Sequence, residues 1–196
     1  MMNQFSCNTL TENAKKYFQR YFQVVEQMVS ARPEEPFQSI SQHFLFYLQT
    51  IAIAVDQLSQ NILILTTDPV VENTAITASE VFLNINDKAT QILPNCSNFL
   101  NSERDVELFG LQNSRLISEL ASHLIGQQTT NSTNRSYALA INTICKYLEK
   151  MITNTTKYGI CAELSALLDD QLPQVTMVCQ STKKILTGWC NRKFDL

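Results

Sequence analysis

The sequence predicts an all-α protein, an up-and-down antiparallel bundle of five or six helices, and two observations carry that reading. Apolar residues return every three or four positions over stretches of about 20 to 30 residues, the spacing that lines one face of a helix. The five prolines and four glycines of the 196-residue chain fall mostly at the joints between those stretches. Pro lacks an N–H and clashes with the preceding turn, and Gly costs backbone entropy, so both interrupt helices where they stand.

The first segment runs from about Thr9 to Ala31. Thr9 and Glu12 have capping-box spacing, and Ala14, Tyr17, Phe18, Tyr21, Val24, Val25 and Met28 share a face before Pro33 and Pro36. The second, Phe37 to Leu65, repeats Phe37, Ile40, Phe44, Tyr47, Ile51, Ala54, Leu58, Ile62 and Leu65. Leu45, Leu48, Ile53 and Val55 widen its stripe, as in a helix covered on several sides. Asp68 followed by Pro69 is a strong start for a third helix carrying Val71, Ala75, Ala78, Phe82, Ile85, Ala89 and Ile92, which Pro94 stops.

Ser102 and Asp105 resemble a capping box for a fourth helix with Val106, Phe109, Leu116, Leu120 and Leu124, closed by Gly126. Gln127 to Asn134 is the most polar stretch and reads as a flexible linker; the chain is taken as one domain over 1–196, and any subdivision falls at 127–134. Downstream the apolar spacing holds from Tyr137 to Leu168, with Gly159 and Thr153 to Thr156 as a bend rather than an end. Pro173 starts or kinks the last helix, which carries Val175, Val178, Thr182, Ile185, Leu186 and Trp189.

Composition narrows the function classes. A chain of this length buries about 70% of its unfolded surface and needs no metal or disulfide. Apolar residues make up 44% and charged residues 17%, with a net charge of −3. The cations are scattered, without the basic stripe that nucleic-acid binding requires. The longest apolar region, Phe44 to Leu65, contains Gln49, Asp56, Gln57, Gln60 and Asn61, so no membrane span is expected. Six cysteines show no CxxC pair and no histidine at zinc-ligand spacing, and the N-terminus has no secretory pattern, so reduced thiols and a cytoplasmic location are expected, with an oxidised secreted protein as the alternative.

Chemistry has few places to reside. His43 and His123 stand in no catalytic motif, and His123 follows Glu119 by four residues rather than the three of a di-iron bundle. Glycines at 110, 126, 159 and 188 allow neither a dinucleotide nor a P-loop fingerprint. The expectation is therefore a non-enzymatic scaffold or protein-interaction domain with no cofactor and no metal. Two alternatives stand beside it: homo-oligomeric assembly through one long helix over 137–168, and an apolar ligand pocket walled by Phe44, Tyr47, Phe82, Phe109 and Trp189.

The segment LQNSRLISELASHLIG, Leu111 to Gly126, resembles the vinculin-binding helices of talin-rod bundles, in which an Ala- or Ser-rich repeat spaces large aliphatic residues over about four turns. Leu111, Ser114, Ile117, Ser118, Ala121, Ser122, Leu124 and Ile125 occupy the matching positions. The chain departs from that family in having less Ala and denser aromatics. The resemblance implies an adhesion-type or cytoskeleton-linked bundle, or a host-directed effector of that fold, whose fourth helix leaves its own core for a partner bundle. Its partner-binding residues would be Leu111, Ile117, Ala121, Leu124 and Ile125.

Overall fold

The protein, described from a computed structural model, is a helical bundle, with six α-helices among the described residues and a 3-10 turn after the third. The structure describes the backbone over residues 2–32, 40–96, 103–127, 132–158 and 162–192, with side chains over most of these stretches. The helices are α1 (Met2–Ser30), α2 (Ile40–Leu63), α3 (Pro69–Ile92), α4 (Glu103–Gly126), α5 (Thr133–Tyr158) and α6 (Ala162–Arg192). Helix is the only regular structure among the described residues, as the periodicity predicts.

The helices form two layers of three. In one, α2 lies between α1 and α3; in the other, α5 lies between α4 and α6; and α1 faces α4, α2 faces α5, α3 faces α6. Cross-helix bonds fix the directions. Gln49 Nε2 donates to Thr90 Oγ1 and Ser79 Oγ to Asp56 Oδ1, a falling register that makes α2 and α3 antiparallel. Gln127 to Thr143 and His123 to Tyr147 do the same for α4 and α5. Asn84 to Gln171 and Lys88 to Asp170 do it for α3 and α6. Near-antiparallel packing lets such wide stripes interdigitate along their whole length.

A single core runs through both layers, from Tyr17, Tyr21 and Val24 of α1 to Val175 and Val178 of α6. It crosses the polar stretch at 127–134 without interruption, and residues 128–131 of that stretch lie outside the described residues. α2 is enclosed along its length, with Leu45, Ala52, Val55, Ser59 and Ile62 all at 0% exposure. That follows from its stripe, which is too wide for one neighbour.

Local signals act where they were read, with three exceptions. Asp68 caps α3: its backbone is extended and its carboxylate accepts from Val70 N at 2.9 Å, with Pro69 in the first turn. This satisfies one of the N–H groups that a helix start leaves over. Pro94 ends α3 in the 3-10 turn Leu93–Asn95. The first exception is α1, which begins at Met2, so Thr9 and Glu12 lie inside the helix rather than at its start. The proposed starts at Phe37 and Ser102 lie outside the described residues, with α2 and α4 under way at Ile40 and Glu103.

The second exception concerns the stripe over 137–168. It is shared between two helices, since α5 ends at Tyr158 and α6 begins at Ala162. Apolar spacing continues across the two because both helices feed one core, and among the described residues no one helix covers 137–168. Pro173 lies inside α6 instead of starting it.

The third is the thiols. Cys145 and Cys179 are free and buried, behaving as small hydrophobes. Cys96 is buried and disulfide-bonded, against the expectation of uniformly reduced cysteines. No CxxC spacing announced it because the bond joins residues that the fold, not the sequence, brings together.

Candidate functional site

α4 is a corner helix, held by α5 in its own layer and by α1 across the layers. Its inward face is Asn113, Leu120, Ala121 and Leu124, all buried, with Leu116 and Ile117 partly buried against the core. Its outward face carries Leu111 at 68% and Ile125 at 53% exposure, with the exposed Ser114, Ser118 and Ser122 between them. The five residues predicted to bind a partner are therefore divided between two faces. Leu124 and Ala121 belong to the core, Ile117 to its margin, and Leu111 and Ile125 to solvent.

The α1–α4 contact adds to the outward face. Tyr21 Oη donates to the carbonyl of Leu124 at 2.8 Å. Phe22 and Ile125, each the residue after one member of that pair, are both exposed, and Val29 lies two turns further along α1 at 38% exposure. Leu108, nearer the start of α4, is exposed at 37%. Phe22 and Val29 were not singled out by sequence, because in a stripe already rich in aromatics only the three-dimensional register shows which members face out.

On its other side α4 forms a cleft with α5, about 700 Å³ in volume. Thr143, Lys146, Tyr147, Lys150 and Asn154 line it from α5, one face at the helical spacing, opposite His123 and Gln127. Tyr147 Oη and His123 Nδ1 share a hydrogen bond of 2.7 Å, and Lys150 Nζ lies 4.7 Å from the centre of the Tyr147 ring. The Tyr147 hydroxyl is held above its ordinary pKa, by desolvation first and by the Glu119 carboxylate second. This stripe is polar, so the apolar periodicity of the sequence does not mark it.

The other residues marked by sequence lie elsewhere in the bundle. His43 stacks on Tyr47 with ring centres 4.6 Å apart, and burial lowers its pKa. Phe44 and Phe82 fill the core at 1% and 0% exposure with Tyr47 packed against it, while the side chains of Phe109 and Trp189 lie outside the described residues. Among the described residues no three His, Cys, Asp or Glu side chains converge as metal ligands, and no helix is long and apolar enough to cross a membrane. Compared with known proteins, the chain matches no family model, no curated protein and no solved structure.

Proposed function

We propose that the protein is a non-enzymatic interaction domain that receives an amphipathic helix of a partner protein along the α1–α4 edge. The observation that carries this is the pair of exposed apolar side chains, Phe22 and Ile125, that flank the Tyr21–Leu124 contact, with exposed Val29 and Leu111 farther along the same two helices. A helix laid across the α1–α4 corner would bury Phe22 and Ile125, and the small Ser114, Ser118 and Ser122 allow close approach. Low charge density lowers the desolvation cost of docking. The disulfide at Cys96 supports an oxidising compartment rather than the cytoplasm as the place of action.

The test is a photo-crosslinking amino acid placed at Leu111 or Ile125, with Ile64, 83% exposed beyond the end of α2, as the control position. A distinct crosslinked protein from the two edge positions, absent from the control and lost in L111E/I125E, is expected. Equal labelling from all three positions overturns the reading, and a covalent dimer of the purified chain replaces it with self-assembly at the same edge.

A second mode has its own observation. Asn113 is buried on the inner face of α4 with its Oδ1 unpaired, which weakens that helix's hold on the core. The likeness of Leu111 to Gly126 to talin-rod helices fits a release of α4, which would deliver Ala121 and Leu124 to a partner. Hydrogen exchange separates the modes: release requires α4 amides to exchange far ahead of those in α2, whereas edge docking leaves both protected.

A further inference from the structure

The cleft between α4 and α5 lies on the far side of α4 from the proposed docking edge and has a different chemistry. It is open to solvent on one side, and its volume of about 700 Å³ exceeds what a lone ion fills. Two ammonium groups, Lys146 and Lys150, stand one helical turn apart on the wall, both exposed to it. Neither has an ion-pair partner within the bridging distance among the described residues, where the pairs are Lys15 with Glu12, Lys88 with Asp170 and Arg115 with Glu119. Glu149 also borders the cleft, and the nearby Glu119 is engaged by Arg115.

The uncharged groups are specific in what they have left to offer. Thr143 Oγ1 accepts from Gln127 Nε2 at 2.7 Å, which leaves the threonine hydrogen free to donate. Thr153 does not contribute, because its hydroxyl donates to the carbonyl of Glu149. Gln127 Oε1 is buried with no partner, an acceptor at the margin of the same cleft. A buried amide oxygen left unpaired is costly, and a ligand hydroxyl would satisfy it.

We propose that this cleft binds a small phosphorylated polyol, a sugar phosphate in chemical class, with the phosphate between Lys146 and Lys150 and a ligand hydroxyl donating to Gln127 Oε1. Two adjacent cations match a dianion better than a single carboxylate. The unpaired acceptor at the opposite wall distinguishes a hydroxylated ester from free phosphate. The Tyr147–His123 hydrogen bond fixes the ring that forms the floor beneath Lys150.

The experiment is titration of the full chain with glucose 6-phosphate, inorganic phosphate and glucose, followed by amide chemical shifts of Gln127, Thr143 and Tyr147. Saturable shifts are expected with glucose 6-phosphate, weaker ones with phosphate, and none with glucose. The K146A/K150A variant should weaken the ester at least about tenfold, since charge-assisted contacts carry that much affinity. K183A/K184A, two exposed lysines of α6, should leave it unchanged. Q127A should lower affinity for the ester and not for phosphate. Linear, unsaturated shifts, equal losses in both lysine pairs, or phosphate binding as tightly as the ester would each overturn the assignment.

Discussion

The Tyr21 hydroxyl of α1 donates to the Leu124 carbonyl at 2.8 Å, and Leu124 lies in the last turn of α4, whose carbonyls have no partner within their own helix. A buried side chain 103 positions away thus completes the C-terminus of a helix and ties the two layers together at their corner. Tyr21→Phe removes the donor and leaves that carbonyl unpaired. A loss of about 1 to 2 kcal/mol is expected from chemical denaturation, with the denaturant slope unchanged. An unaltered midpoint would show that water serves the carbonyl equally well.

A second hydroxyl pair joins the two central helices. Ser59 Oγ of α2 and Tyr137 Oη of α5 are 2.8 Å apart, and both residues are at 0% exposure. Ser59→Ala strands the tyrosine hydroxyl in the core and should cost about 1 to 3 kcal/mol. The double variant S59A/Y137F should cost less than the sum of the two single changes, because no stranded hydroxyl remains. Strict additivity in the double-mutant cycle would remove this bond from the account of how the layers adhere.

The fold was legible because its determinants are local. Periodicity located α1 to α4 and ran α5 together with the start of α6, and Asp68 with Pro69 gave the start of α3 to the residue. Boundaries failed where the deciding term is tertiary. Thr9 lies inside α1, which continues through it, and Pro173 is absorbed into α6. The candidate site was only half legible. Sequence marks Leu111, Ala121, Leu124 and Ile125 as one helix's repeat, yet which of them face the core depends on where α1 and α5 sit. The α4–α5 cleft needs two helices in register before Lys146, His123 and Gln127 become neighbours.

Pro173 lies in the interior of the 31-residue α6, where it removes one backbone hydrogen bond and crowds the preceding turn. It is exposed, so no packing is lost on replacing it. On the upstream side Lys88 holds Asp170, and Asn84 holds Gln171, anchoring that turn to α3. Pro173→Ala should therefore stabilise the protein by up to about 3 kcal/mol, the helix-propensity difference, less what the unfolded chain regains in freedom. A lower midpoint in P173A would mean that a bend at this position is needed for α6 to follow α3 and α5.

Cys96, at 3% exposure, follows the 3-10 turn that leads away from α3. Its disulfide constrains the unfolded chain, and Cys96→Ser should lower stability by about 2 to 5 kcal/mol under oxidising conditions. In reductant, wild type and variant should converge. Peptide mapping without reduction should return the Cys96 peptide crosslinked, and its recovery as a free thiol would refute the bond and restore the expectation of reduced thiols.

Alkaline pH should unfold the protein, and the sign follows from burial. Desolvation raises the pKa of Tyr17, Tyr21, Tyr137 and Cys145 far above their ordinary values, so all four stay protonated in the fold. Unfolded, the thiol releases its proton near pH ~8.5 and the phenols near ~10. Above those values the unfolded chain binds fewer protons than the native one, and stability falls with rising pH. Below about pH 8 this contribution is fully present. Asp170 acts in the opposite sense: its hydrogen bond to Lys88, then that to Gln171, depresses its pKa, and what it contributes is lost as acid protonates it. That pair is exposed, so the acid limb should be shallow and erased by salt. The measured profile should be level through neutrality and drop steeply beyond pH ~9, at up to ~1.4 kcal/mol per pH unit for each titrating group. Y137F should reduce the steepness by one group's share in the phenol range. Stability that held constant to pH ~11, well beyond the ordinary phenol value, would show that these hydroxyls reach water in the native state.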